Sequence, residues 1–171
     1  MSWDNESVVP LRALANPLRI RIVSLVTGAA MSATEVADEL GIAHASASYH
    51  LRQLVAAGFL RRVDDHVDNP GRGQPQRRYT YDPASTARLD SSGDSRQLLL
   101  EATLTDLRRR QAAMSRQRHS ADAEVWLPQE TWEQVVSLVD DAIRLAHDKA
   151  GPPRAEGSVH VSLTAFLYEL T

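Results

Sequence analysis

The sequence predicts a mainly α (α+β) chain: a helical N-terminal unit closed by a β-hairpin, one long helix, and a small C-terminal α/β extension. Three observations carry this expectation. Apolar residues recur three and four apart through six stretches, the spacing of helices with one buried face. Two β-prone runs, 59–63 and 77–81, flank a loop rich in glycine and proline. Near the end, Val159, Val161 and Leu163 alternate with His160, Ser162 and Thr164, the pattern of a half-buried strand. The expected divisions are 1–90, 91–120 and 121–171.

The elements follow in order. Leu11 and Leu14 begin a short helix that Asn16-Pro17 interrupts. Asparagine suits a helix cap and proline the first turn, so a second helix starts there, buries Leu18, Ile22, Leu25 and Val26, and ends at Gly28. Ser32 and Glu35 have the types and spacing of a capping box, and open a helix of about two turns that Gly41 closes. The next helix spans about 43–57 before Gly58, with Ala47, Leu51 and Leu54 on one face. Its opposite face holds Ala45, Ser48, Tyr49, Arg52 and Ala56, flanked by His44, Ser46 and Gln53. That face is small, polar and hydrogen-bonding, unlike either a core or an ordinary charged surface.

After the hairpin, a polar break at 90–93 precedes a helix expected to reach about His119. Pro128 opens a final helix with the stripe Trp132, Val135, Val136, Val139, Ile143 and Ala146, stopped by Gly151-Pro152-Pro153. Residues 124–127 are the expected strand partner of 158–169. Trp126, Trp132, Phe166 and Tyr168 are expected to form the core between this helix and its strands, with the wall of an effector pocket as the other reading.

Composition excludes several classes of function. The chain has 171 residues, long enough to bury roughly 70% of its unfolded surface without staples. With no cysteine there is no disulfide scaffold, cysteine nucleophile or thiolate metal site, and a reducing compartment is expected. No apolar run approaches about 18 residues and the first residues are polar, so the expectation is a soluble cytoplasmic protein without a membrane partner. Phosphate loops, the His-Glu-x-x-His zinc motif and the Gly-x-Ser-x-Gly elbow are missing, so no enzyme is expected. No metal site or cofactor is expected either: His147 and His160, with Asp140, Asp141 and Asp148, have no ligand spacing that demands an ion.

The net charge is −3, but its distribution matters more. Residues 1–83 carry 9 basic and 9 acidic groups, 84–119 carry 7 and 4, and 120–171 carry 3 and 9, giving 0, +3 and −6. Double-stranded DNA responds to the local field, and the acidic last third should face away from it.

Helix, three-residue turn, helix and hairpin with an arginine in its loop is the layout of a winged helix-turn-helix. A major groove about 12 Å wide admits one helix with a short hydrogen-bonding face. The candidate DNA-binding residues are therefore His44, Ser46, Ser48, Tyr49, Arg52 and Gln53 on helix 44–57. Arg72 and Arg77, in the wing at 66–77, would meet the backbone or the minor groove. The supporting helix before the turn is expected to present its N-terminus to a phosphate.

The segments LRALANPLRIRIVSLV, TEVADELGIAHASASYHLRQLVAAGFL and GRGQPQRRYTY resemble the ArsR-type winged-helix transcriptional regulators of bacteria over residues 10–83. The resemblance implies a homodimer built on the first helix and the long helix, binding an inverted-repeat operator and usually repressing. It places Ser46, Ser48, Tyr49 and Arg52 where that family's recognition helix reaches DNA. Metal-sensing members use cysteines in the support helix or paired ligands on the long helix, which here has only His119. The block 121–171 looks like the helix-plus-strand extension of some actinobacterial relatives, holding an effector or stabilising the dimer.

Among the remaining residues, His50 is read as a hydrogen-bonded structural histidine, and Arg108 to Arg110 as solvated charge. Two alternatives stand beside DNA binding by a repressor. One is a protein-interaction module built on the same fold. The other is a regulator with a small-molecule effector in the C-terminal block.

Overall fold

A computed structural model of the chain describes residues 9–64, 77–88, 93–114, 119 and 121–170. The first helices are α1 (Val9–Leu14) and α2 (Pro17–Gly28). Asn16 separates them, its side-chain oxygen accepting from the amides of Leu18 (2.9 Å) and Arg19 (3.2 Å). That satisfies two donors a helix start would otherwise leave open.

A two-residue strand β1 (Met31–Ser32) leads into α3 (Ala33–Leu40). Both halves of the capping box form: Glu35 N–H donates to Ser32 Oγ at 3.3 Å, and Ser32 N–H to Glu35 Oε2 at 2.7 Å. Gly41 ends α3 at φ 64°, a conformation costly for any residue with a Cβ. Only Gly41, Ile42 and Ala43 intervene before α4 (His44–Ala56).

The hairpin strands are β2 (Leu60–Asp64) and β3 (Arg77–Tyr81), antiparallel from Leu60 opposite Tyr81 to Asp64 opposite Arg77. β1 has no counterpart in the sequence pattern: it pairs Met31 with Tyr79 and Ser32 with Arg78, giving the sheet order β1-β3-β2. A short 3₁₀ turn (Pro83–Arg88) follows. One core joins these elements, with Ile22, Val26, Val36, Ala47, Leu51, Leu54, Phe59, Leu60 and Tyr79 buried. The described residues thus form a mostly helical α+β fold with a small antiparallel sheet, the winged helix-turn-helix arrangement.

α5 (Gly93–Gln111) lies across α1 and α2 and buries Ala102 and Asp106. It stops eight residues before His119. The bonds Ala113 N–H to Arg110 O and Met114 N–H to Gln111 O tighten its last turn into i→i+3 geometry. Residues 115–120 read Ser-Arg-Gln-Arg-His-Ser, so no apolar face exists there to hold a further turn to a core.

α6 (Gln129–Lys149) has the expected stripe, all six positions of it half-buried. Its C-terminal end returns to the N-terminal unit. His147 meets Tyr81 edge-on at 5.9 Å, and Arg154 pairs with Glu39 at 2.5 Å. A Cβ on Gly28 would stand 2.6 Å from the carbonyl oxygen of Gly151, so a glycine is needed where the chain crosses the end of α2.

Two expectations about the extension are corrected. Residues 121–128 and 159–170 form no strand, with each other or with anything else among the described residues. Nor do the aromatics form a core: Trp126 is fully exposed, Tyr168 and Phe166 are exposed, and Trp132 is half-buried. No residue from 121 to 170 is buried. A strand needs a neighbouring strand to satisfy its ladder, and a single copy does not bring these two arms together.

Candidate nucleic-acid interface

The two faces of α4 differ as the helical period requires. Ala47, Leu51 and Leu54 are completely buried against α2, α3 and β2. Opposite them, His44, Tyr49, Arg52 and Gln53 are exposed, with Ser46 and Ser48 half-buried between. None of these six side chains hydrogen-bonds or ion-pairs with another described residue. The tail does not cover them. Tyr49, half exposed, makes only an edge-on ring contact with His50 at 5.3 Å.

Electrostatics favour an anion here. From Leu40 to Val63 the chain has no carboxylate side chain, while Arg52, Arg61 and Arg62 are all exposed. The N-cap of α4 is Ala43, which offers no side-chain acceptor, so the first amides of this 13-residue helix stay open to a phosphate. α3, the support helix, corrects an expectation. Its N-terminus carries its own carboxylate, Glu35, and Ser32 is buried beneath it. A phosphate there would meet like charge. The open helix start belongs to α4.

Glu35 also organises the wing. Burial alone would raise its pKa. The Ser32 amide and hydroxyl, together with the Arg78 guanidinium that contacts it, hold it below the usual carboxylate value. Arg78 also donates to Ala30 O at 2.7 Å. Strand alternation separates the neighbours: Arg78 turns in toward α3, and Arg77 is exposed. Arg72 lies outside the described residues.

His50 is tied into the scaffold, in keeping with its place at the edge of the core. Arg19 Nε donates to its Nδ1 at 3.3 Å, and Arg19 Nη1 donates to Ala13 O at 3.0 Å. Burial first, and the Arg19 charge second, hold the imidazole pKa below its ordinary value near 6.5. The unfolded chain therefore binds this proton first as the pH falls. The stability linked to His50 is complete above about pH 7 and is lost on acidification through the folded-state pKa. Thermal unfolding of wild type and His50→Gln between pH 8 and 5 checks this: the variant is expected to show the shallower loss. The sequence does not reveal Arg19 as a positioning residue, because no local spacing marks a partner 31 residues away.

Arg108 to Arg110 are only partly solvated. Asp106, 3% exposed, lies 2.7 Å from Arg109 Nε, and Arg110 Nε lies 2.9 Å away without hydrogen-bond alignment. Only Arg108 of the three has no described ion-pair partner. A shallow cleft of about 320 Å³ between α3 and the 153–154 turn is lined by Met31, Glu35, Asp38, Glu39, Pro153 and Arg154. The C-terminal aromatics do not line it. Among the described residues no cluster of His, Asp and Glu has metal-holding geometry, and no helix is long and apolar enough to cross a membrane.

One family comparison agrees with this geometry. Residues 14–63 match the family described as "Helix-turn-helix domain". This stretch runs from the end of α1 through α4 into β2, and identifies it as a helix-turn-helix DNA-binding domain. No curated protein matches the chain. Among solved structures, the crystal structure of RV1404 from Mycobacterium tuberculosis is 13% identical, with a TM-score of 0.34 over 86% of each chain.

Proposed function

We propose that the chain is a transcriptional regulator rather than an enzyme: a cytoplasmic homodimeric repressor of the ArsR type that binds an inverted-repeat operator. The observation that carries this reading is the outer face of α4. It combines exposed hydrogen-bonding side chains, an uncapped helix start and a surrounding stretch free of carboxylates. Arg52, Gln53, Ser48 and Tyr49 would read base edges, with Ser46 and His44 near the phosphates. Arg77, and Arg72 in the loop beyond it, would hold the backbone.

Dimerisation finds support on α5. Leu100 and Leu104, one helical turn apart, are exposed on the side away from buried Ala102 and Asp106. Leucines paired in this way on a surface helix suit a second copy better than water.

The test is selection from random duplexes by the purified full chain. An inverted repeat is expected, its half-sites one helical turn, about 34–36 Å, apart. Recovery of unenriched sequence, with affinity unresponsive to salt, would favour the protein-interaction module instead.

A further inference from the structure

The extension is amphipathic in an unusual sense. Residues 159–170 run without helix, strand, turn or bend, as do 121–127. Arg110 Nη1 on α5 donates to Ser162 Oγ at 2.9 Å and to Thr164 Oγ1 at 3.2 Å. Two residues apart in an extended segment share a side, so the polar side of this arm faces its own molecule. The apolar side faces outward, with Val159 80%, Val161 68% and Leu163 54% exposed. On the other arm, Val125 and Trp126 are also exposed. Neither 159–170 nor 121–127 makes a backbone hydrogen bond to another described residue, and Ser158 N–H donates only locally, to Ala155 O at 3.0 Å.

We propose that residues 158–164 of one copy lie as an antiparallel strand against residues 124–127 of a second copy, reciprocally, so that exchanged arms close the dimer. Each copy brings two complementary arms that it does not pair itself. A two-fold exchange gives each of the four arms a partner strand, whereas a foreign partner would have to supply both counterparts. The tail arm is held to its own copy by Arg110 and the Arg154–Glu39 pair.

The exposed area is sufficient. Six large apolar side chains of the two arms, Val125, Trp126, Leu127, Val159, Val161 and Leu163, are exposed, as are Leu100 and Leu104 of α5. At roughly 100 Å² apiece the arms and α5 together offer about 800 Å² per copy, what a stable interface needs per partner. The block's 9 acidic against 3 basic residues repel nucleic acid, leaving protein as the occupant. The inference deepens the homodimer reading and rests on it only in requiring two copies.

The chain has no cysteine, so a directed cross-linking test is clean. Val125→Cys and Val161→Cys variants of the full chain, mixed in equal amounts and treated with a short bis-maleimide, are expected to give a covalent dimer containing one of each. A chain carrying both substitutions is expected to cross-link into dimers. Ring closure within a single chain overturns the exchange. So does a dimer by light scattering that fails to cross-link in the mixture, which leaves a dimer built on α5 standing. A monomer by light scattering at micromolar concentration overturns both readings. Without cross-linker, Val161→Asp is expected to weaken dimerisation about ten-fold or more, because a charge would be buried without a partner. Unchanged dimerisation in that variant counts against the proposal.

Discussion

Replacing Phe59 with alanine is expected to destabilise the chain by about 3–5 kcal/mol, the range for truncating a fully buried aromatic. Phe59 is 1% exposed and is the largest fully buried side chain among the described residues. It follows Gly58, whose φ of 77° turns the chain out of α4, and its amide donates to Leu54 O at 2.9 Å. Its carbonyl accepts from Asp82 N–H at 2.9 Å, fastening the far end of β3. The ring therefore sits where α4, β2 and β3 converge, and the backbone bonds on both sides prevent collapse into the cavity its loss would leave. Against a total stability of about 5–15 kcal/mol, this is a large fraction. Denaturant titration of wild type, Phe59→Ala and Phe59→Leu checks it. The alanine variant should unfold at much lower denaturant, and leucine should recover most of the loss. Equal stability of all three would mean that the convergence of these elements does not depend on this ring.

The parts of the fold legible in the sequence are those encoded locally. Asn16, Ser32 with Glu35, and Gly41 act within a few residues of themselves, so their types and spacing announce the helix ends found in the structure. The two faces of α4 follow from a 3.6-residue period in which Ala47, Leu51 and Leu54 share one side. Interactions between distant residues leave no such trace. Arg78 reaches Glu35 across 43 positions, and a strand of two residues is too short to show alternation. The end of α5 falls earlier than expected because a run of helix-tolerant polar residues does not reveal where the core stops. For the C-terminal arm, alternation predicts a half-buried strand, and the structure has neither a strand nor a buried residue there. Periodicity marks which side chains share a side, not whether anything covers them.

Arg52 carries the central claim, that the outer face of α4 reads bases. It is exposed on the same side as Tyr49 and Ser48, without a hydrogen bond or ion pair to another described residue, so its guanidinium is free to engage a base edge in two parallel bonds. Losing such a pair costs about 1–3 kcal/mol, roughly 5- to 150-fold in affinity, and only where the right base is present. Arg77, on the exposed side of β3, and Arg72, outside the described residues, are proposed to differ in kind. Removing a phosphate-binding charge is expected to weaken every sequence alike and to lower the salt dependence by about one counterion. The most direct measurement is the dissociation constant of wild type, Arg52→Ala and Arg77→Ala on the selected operator and on a random duplex at one salt concentration. For Arg52→Ala the loss should fall on the operator and spare random DNA, while Arg77→Ala loses evenly on both. An equal loss on both duplexes for Arg52→Ala, or no loss on either, would contradict base reading by this face.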